Sequence, residues 1–292
     1  MIDAFDRLIR QLEDDRSLLE ADRLRERLEA LDRLDAYLRD GSELAFGAGL
    51  DDAGLYLRAR SVCERLEAAN GELYEAIRSD IQRGLRPDAL LQWVYSSSEN
   101  AREGVGNGVG YDYLDELVSG VLQFEEPERG EGSREAEMVS YQPTPARHIF
   151  DLIDTAGLTV EDVVVDLGSG LGHVPLLISI CTGARSIGIE LEAGYVERAR
   201  QCAQRLNVDK ATFLCQDARV ADLSRGTVFY LYTPFVGAIL RDVLERLRRE
   251  TATRRIRICT YGPCTAAVAE EPWLEAVEAP EADRIALFRS RD

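Results

Sequence analysis

The chain has 292 residues, with 53 Asp plus Glu against 35 Lys plus Arg, a formal net charge of −18 and 45% hydrophobic residues. This apolar content builds a real core in one large or two ordinary domains. The mixture of charged residues with Leu, Val, Ile and aromatics excludes a collagen-like or wholly disordered chain.

The sequence has no apolar run as long as a membrane span. Met1 to Arg7 carries acids where a signal peptide would carry bases, so a cytoplasmic protein with no membrane association is expected. The six cysteines (Cys63, Cys181, Cys202, Cys215, Cys259 and Cys264) contain no CxxC pair, which predicts buried free thiols and no metal site. Charge is uneven: residues 1 to 140 hold 32 acids and 17 bases, net −15, whereas residues 141 to 292 hold 21 acids and 18 bases, net −3. An acidic first half repels a nucleic-acid backbone and suits either a basic partner or simple solubility.

Between Ile2 and Arg39 the leucines recur at helical spacing, which predicts two amphipathic helices; Leu24, Leu31 and Leu38 also stand seven apart, the spacing of a short coiled-coil seam. A glycine-rich break is expected from Gly41 to Gly54. A second helical stretch follows over Leu55 to Arg83, and a third opens at Leu85-Arg86-Pro87-Asp88 with proline near its first turn. Gly104 to Gly110 reads as a loop, Tyr113 to Leu122 as a helix, and the charged stretch Glu125 to Glu137 as an interdomain bridge. These features predict an all-helical N-terminal domain over 1–137, serving as lid, substrate-recruiting surface or dimer interface, followed by a second domain over 138–292.

From Val163 onward, short apolar runs alternate with helical segments. Val163 to Leu167, Ser186 to Glu190, Ala211 to Cys215, Val228 to Tyr232 and Arg255 to Cys259 read as strands buried on both faces, with helices over Ala193 to Leu206 and Val236 to Arg249. The alternation predicts an α/β fold, a Rossmann-like doubly wound parallel sheet, with a hairpin (Trp273 to Val277, Ile285 to Arg289) appended.

Chemistry concentrates in Val165-Asp166-Leu167-Gly168-Ser169-Gly170-Leu171-Gly172-His173, a strand ending in an acid that passes through three alternate glycines into a helix. Glycine lets the backbone turn tightly against a ligand, and the helix start offers unpaired N–H groups. A dinucleotide turn reads GxGxxG; here the third glycine comes one residue early and His173 stands in its place. Asp166 would repel a pyrophosphate and suits an ammonium or sulfonium group. Glu190, ending the second strand, is placed to accept the two hydroxyls of a ribose, and Asp217, in Gln216-Asp217-Ala218 after the third strand, an exocyclic adenine amine. The three acids together describe an adenosyl ligand with positive charge and no phosphate.

Over about residues 138 to 292 the sequence resembles the class I S-adenosylmethionine-dependent methyltransferases, on the D-x-G-x-G-x-G motif at Asp166 to Gly172 and the acid at Glu190. The segment Tyr141-Gln142-Pro143-Thr144-Pro145 is similar to the Y-x-P-T-P loop of a bacterial group related to the non-SET protein-lysine methyltransferases. The resemblance implies S-adenosyl-L-methionine as cofactor, held by Tyr141, Thr144, Asp166, Gly168, Ser169, Gly170, Gly172, His173, Glu190, Asp217 and Ala218. After the fourth strand, amino-group methyltransferases carry N/D-P-P-F/Y; here Tyr232-Thr233-Pro234-Phe235 keeps the proline and aromatic without the gripping amide or acid. Tyr232, Thr233 and Phe235 are therefore expected to wall the transfer pocket, with a protein or amine acceptor and no nucleic acid. A small-molecule O- or N-methyltransferase, or a cofactor-binding scaffold without turnover, are the alternative readings, and a homodimer is compatible with each.

Overall fold

The computed structural model of the protein describes residues 2–44, 50–100, 111–124, 137–139 and 141–291. Cα packing divides the chain into two compact units, Met1–Ile77 and Arg78–Asp292.

The first unit is helical, with α1 (Ile2–Asp14), a 3-10 turn (Arg16–Leu19), α2 (Leu24–Leu44) and α3 (Leu50–Gln82), which runs on into the second unit. Leu8, Ile9, Leu12, Leu34, Val62 and Leu66 form its core, and Leu31 and Leu38 pack against it half-buried. Helix spacing here serves intramolecular packing. Arg27, fully buried, donates to Asn70 Oδ1 and to the Leu18 and Glu20 carbonyls, so its guanidinium caps the 3-10 turn. The expected break from Gly41 to Gly54 is narrower than composition suggested: α2 reaches Leu44 and α3 begins at Leu50.

The second unit adds α4 (Asp88–Asn100), α5 (Tyr113–Leu122) and α6 (Ala146–Ala156) before an alternating α/β portion. That portion comprises β1 (Val163–Leu167), α7 (His173–Thr182), β2 (Arg185–Glu190), α8 (Ala193–Arg205), β3 (Ala211–Cys215), β4 (Val228–Leu231) and α9 (Gly237–Glu250), then β5 (Arg257–Thr260), α10 (Cys264–Ala269), β6 (Leu274–Ala276) and β7 (Ala286–Ser290). The sheet order is β3-β2-β1-β4-β5-β7-β6. Strands β1 to β5 are parallel, and β7 inserts antiparallel between β5 and β6. The expected doubly wound sheet is therefore present, and its terminal hairpin joins by β7.

Helices α4 and α5 group with the sheet, so packing divides the chain inside α3, upstream of the compositional boundary at 137/138. The glycine run Gly104 to Gly110 and most of the bridge Glu125 to Glu137 lie outside the described residues. Among the described residues no helix is long and apolar enough to cross a membrane. All six thiols are unpaired; Cys63, Cys202, Cys259 and Cys264 are buried as expected, while Cys215 is exposed.

Strand order reverses between β2-β1 and β1-β4, and at such a switch point the loops leaving neighbouring strands part to leave a crevice at the carboxyl edge. At the opposite edge of the sheet, Asp162 accepts from Thr159 N at 2.9 Å, from Thr227 Oγ1 at 2.9 Å and from the Arg257 guanidinium. Burial opposes ionisation of Asp162, but these bonds outweigh it and hold the pKa below the usual carboxylate value. Its contribution is thus present at neutral pH and lost as pH falls below about 4. Asp162→Ala removes the carboxylate that pairs with the half-buried Arg257 guanidinium and should cost about 1–3 kcal/mol in denaturant unfolding at pH 7; a loss below about 0.5 kcal/mol would show that water replaces the carboxylate without penalty.

Candidate functional site

The crevice is a cavity of about 490 Å³ at the carboxyl ends of β1, β2, β3 and β4. Of the residues the sequence singled out, Tyr141, Thr144, Asp166, Gly168, Ser169, His173, Glu190, Asp217, Ala218, Tyr232, Thr233 and Phe235 line it. Gly170 and Gly172 do not; they shape its wall from behind.

The β1–α7 turn explains its glycines. Gly168, Gly170 and Gly172 have φ of +90°, +51° and +85°, in the left-handed region. A Cβ on Gly170 would sit 2.0 Å from the Tyr141 ring, and one on Gly172 2.5 Å from Phe213. Backbone shape and ring contact both require glycine at these positions.

Asp166 is 4% exposed, and no donor among the described residues reaches its carboxylate. Burial, with a smaller contribution from the charge of Glu190, pushes its pKa up to about 8. Ser169 beside it is also buried, and among the described residues its hydroxyl has no partner. An unpaired carboxyl group on a cavity wall is what a polar ligand would satisfy.

Glu190 sits at the end of β2, its Oε1 accepting from Leu191 N at 2.7 Å and Glu192 N at 2.9 Å, its Oε2 from Gly170 N at 2.9 Å. These bonds fix the carboxylate and leave acceptor capacity on Oε2 alone. The sequence-based expectation that Glu190 takes both hydroxyls of a diol therefore narrows to Oε2. Asp217 is more heavily committed: its carboxylate accepts from Arg219 N at 2.8 Å and Nη2 at 2.6 Å, and that pairing holds its pKa low. A ligand amine there would share the carboxylate with Arg219.

The β4–α9 loop forms the facing wall. Thr233, at φ +43°, donates to Tyr261 O at 3.1 Å and accepts from Cys264 N at 3.1 Å. Its hydroxyl thus holds the β4 loop to the start of α10, a structural task that sequence motifs do not disclose. Phe235 is buried in the core and Tyr232 is half-buried, its ring 4.8 Å from that of Tyr261. Burial raises the Tyr232 phenol pKa, keeping it neutral at physiological pH.

The Tyr141 ring lies tilted 4.9 Å from that of Tyr195, and its hydroxyl lies 3.4 Å from His173 Nδ1. The His173 ring rests 4.6 Å from Phe124, and burial lowers its pKa to about 4, leaving it neutral. Thr144 Oγ1 is 3.4 Å from the fully buried Tyr230 hydroxyl. Sequence reasoning missed Tyr195, Leu191, Met138, Val139 and Pro263 among the lining residues. Only its place in the first turn of α8, after the β2 acid, could have drawn attention to Tyr195.

Residues 137–225 match the family described as Histone methylation protein DOT1. An uncharacterised protein of Methanocaldococcus jannaschii is 39% identical over 62 residues, which span 21% of this chain and 28% of that relative. Among solved structures, an RNA methyltransferase from Salinibacter ruber in complex with S-adenosyl-L-homocysteine is 24% identical, with TM-score 0.42 over 51% of this chain and 92% of that one. The Pyrococcus abyssi tRNA (uracil-54, C5)-methyltransferase in complex with the same ligand is 18% identical, with TM-score 0.40 over 51% of this chain and 39% of that one.

Because the folded state binds the Asp166 proton more tightly than the unfolded chain does, this group's contribution to stability falls as pH rises from about 4 to about 8, then levels off. Asp166→Asn removes that dependence while keeping the shape. Relative to wild type, the melting temperature of the variant should rise by several degrees on going from pH 5 to pH 8.5; an offset that is equal at both values would mean that Asp166 is ionised throughout.

Proposed function

We propose that this chain is an S-adenosylmethionine-dependent methyltransferase acting on an amino group of a protein or amine acceptor. One observation carries the reading: Asp166, a buried carboxyl group without a donor, faces the cavity at the switch point beside the fixed carboxylate of Glu190. A cationic, phosphate-free adenosyl ligand satisfies both acids, whereas a pyrophosphate would be repelled. The match to the DOT1 family over 137–225 supports the same reading.

In this reading Asp166 and Ser169 meet the amino-acid end of the cofactor, Glu190 Oε2 a ribose hydroxyl, and Ala218 with Asp217 the base. Bound cofactor supplies the sulfonium methyl group. Transfer is an in-line displacement, and the chain's own part is to orient the two reactants and exclude water. Tyr141 and His173 close one side and Tyr232 with Phe235 the other, all neutral, so an uncharged amine meets no competing charge along the approach. No imidazole base is assigned, since burial makes His173 a weak base and its ring is taken up by Phe124 and Tyr141. The helical N-terminal part over 1–137 carries most of the negative charge, and we assign it the recruitment of a basic acceptor.

Calorimetric titration should give micromolar binding of S-adenosylmethionine and S-adenosylhomocysteine and none of NAD. Glu190→Ala should weaken the adenosyl ligands by about 1.5–3 kcal/mol, the range for a hydrogen bond to a charged group. Binding of NAD in their place, or unchanged affinity in the variant, would remove this reading of the cavity.

A further inference from the structure

Among its described residues, the cavity wall between Glu137 and Pro145 has no helix or strand of its own to hold it, beyond the isolated bridge between Met138 and Phe235. It nonetheless contributes Met138, Val139, Tyr141, Gln142, Pro143 and Thr144 to the cavity. Pro143 and Pro145 donate no backbone hydrogen bond, so the segment has few means of fixing itself, and holding a loop in one conformation costs conformational entropy at each residue.

Two carboxylates from outside the glycine turn meet the two ends of this wall. At its start, Glu137 O accepts from Val236 N at 2.9 Å and Pro234 O from Val139 N at 3.1 Å, while the Glu137 side chain reaches the first turn of α9 and accepts from Ile239 N at 3.0 Å. Gly237 makes room for it: φ there is +61°, and a Cβ would lie 2.4 Å from Glu137 Oε1. At its end, α6 begins after Pro145 with no side-chain cap of its own. Asp115 supplies the cap from α5, its Oδ1 accepting from Ala146 N at 2.8 Å and its Oδ2 from Asp112 N at 2.7 Å. Tyr111 adds a bond from its hydroxyl to Pro143 O at 2.9 Å, and Arg147 pairs with Asp112.

We propose that Glu137 and Asp115 are positioning residues that tether the 137–145 wall from its two ends and so set the affinity of the cavity for the adenosyl cofactor. The proposal rests on the cofactor reading above. Neither carboxylate belongs to the cavity lining; each acts through backbone N–H groups, Glu137 at α9 and Asp115 at α6, that fix where the Tyr141 ring and the Thr144 hydroxyl stand. Through Tyr141 the tether also bears on the glycine turn, since that ring occupies the space over Gly170.

The test uses the full-length protein with Glu137→Ala, Glu137→Gln, Asp115→Ala and Tyr111→Phe. Amide hydrogen exchange across 137–145 is followed without ligand, and S-adenosylhomocysteine affinity is measured by calorimetry. Both alanine variants should exchange faster in that segment and bind the ligand at least about tenfold more weakly. Glu137→Gln, which still accepts from Ile239 N, should stay close to wild type; Tyr111→Phe, which removes one bond only, should fall in between. Should an alanine variant fail to fold, Tyr111→Phe and Glu137→Gln still decide. Unchanged exchange and affinity in Tyr111→Phe, or a Glu137→Gln as impaired as a full loss of the side chain, would overturn the proposal, as would alanine variants that bind within twofold of wild type. Faster exchange in the variants of a wild-type protein that binds no S-adenosylhomocysteine would instead overturn the cofactor reading, and with it the role assigned to the tether.

Discussion

A single carboxyl group sets the terms for the rest of the second unit. Asp166 stands near the end of β1, the strand with neighbours on both sides at the point where the sheet reverses its order, and it is buried there without a donor. Water is largely excluded, so the ionised form is costly and the proton is retained to about pH 8. A structure tolerates such a group only where the surrounding core is firm enough to hold it. Val165, Leu167 and Leu231 belong to a continuous apolar cluster beneath it.

Around that group the two sides of the cavity are built by opposite means. The β1–α7 side is shaped by backbone: three glycines in left-handed conformations let Tyr141 and Phe213 approach where any side chain would collide, and Gly170 N pins the carboxylate of Glu190. The β4–α9 side is held by side chains, with Thr233 bridging to Tyr261 and Cys264, and Glu137 reaching the first turn of α9. Carboxyl groups are thereby concentrated on one wall and neutral aromatic surface on the other, an arrangement suited to holding a cation while an uncharged nucleophile approaches.

What was legible in the sequence follows from this division. Backbone constraints leave traces that can be read: a positive φ under a ring contact demands glycine, so the spacing of Gly168, Gly170 and Gly172 pointed directly to the turn, and parallel strands buried on both faces announced themselves as apolar runs. Side-chain commitments leave none. Nothing in the residue types shows that Thr233 spends its hydroxyl on a neighbouring loop, or that Asp217 is paired with Arg219 two residues on. Composition located the change of texture near residue 137 but not the packing boundary within α3, because helical patterning continues through α4 and α5, which are less polar than the helices before them and belong with the sheet. The Gly41 to Gly54 region misled in the same way, glycine being tolerated inside α2 and α3 at modest cost.

The most direct measurement is the number of protons released when S-adenosylmethionine binds, taken from calorimetric titrations at pH 6.5 in buffers of different ionisation enthalpy. If the cation displaces the proton held by Asp166, about one proton should leave per ligand bound, and Asp166→Asn should abolish the release. Binding heats independent of the buffer in the wild-type protein would show that the buried carboxyl is not where the positive charge is received.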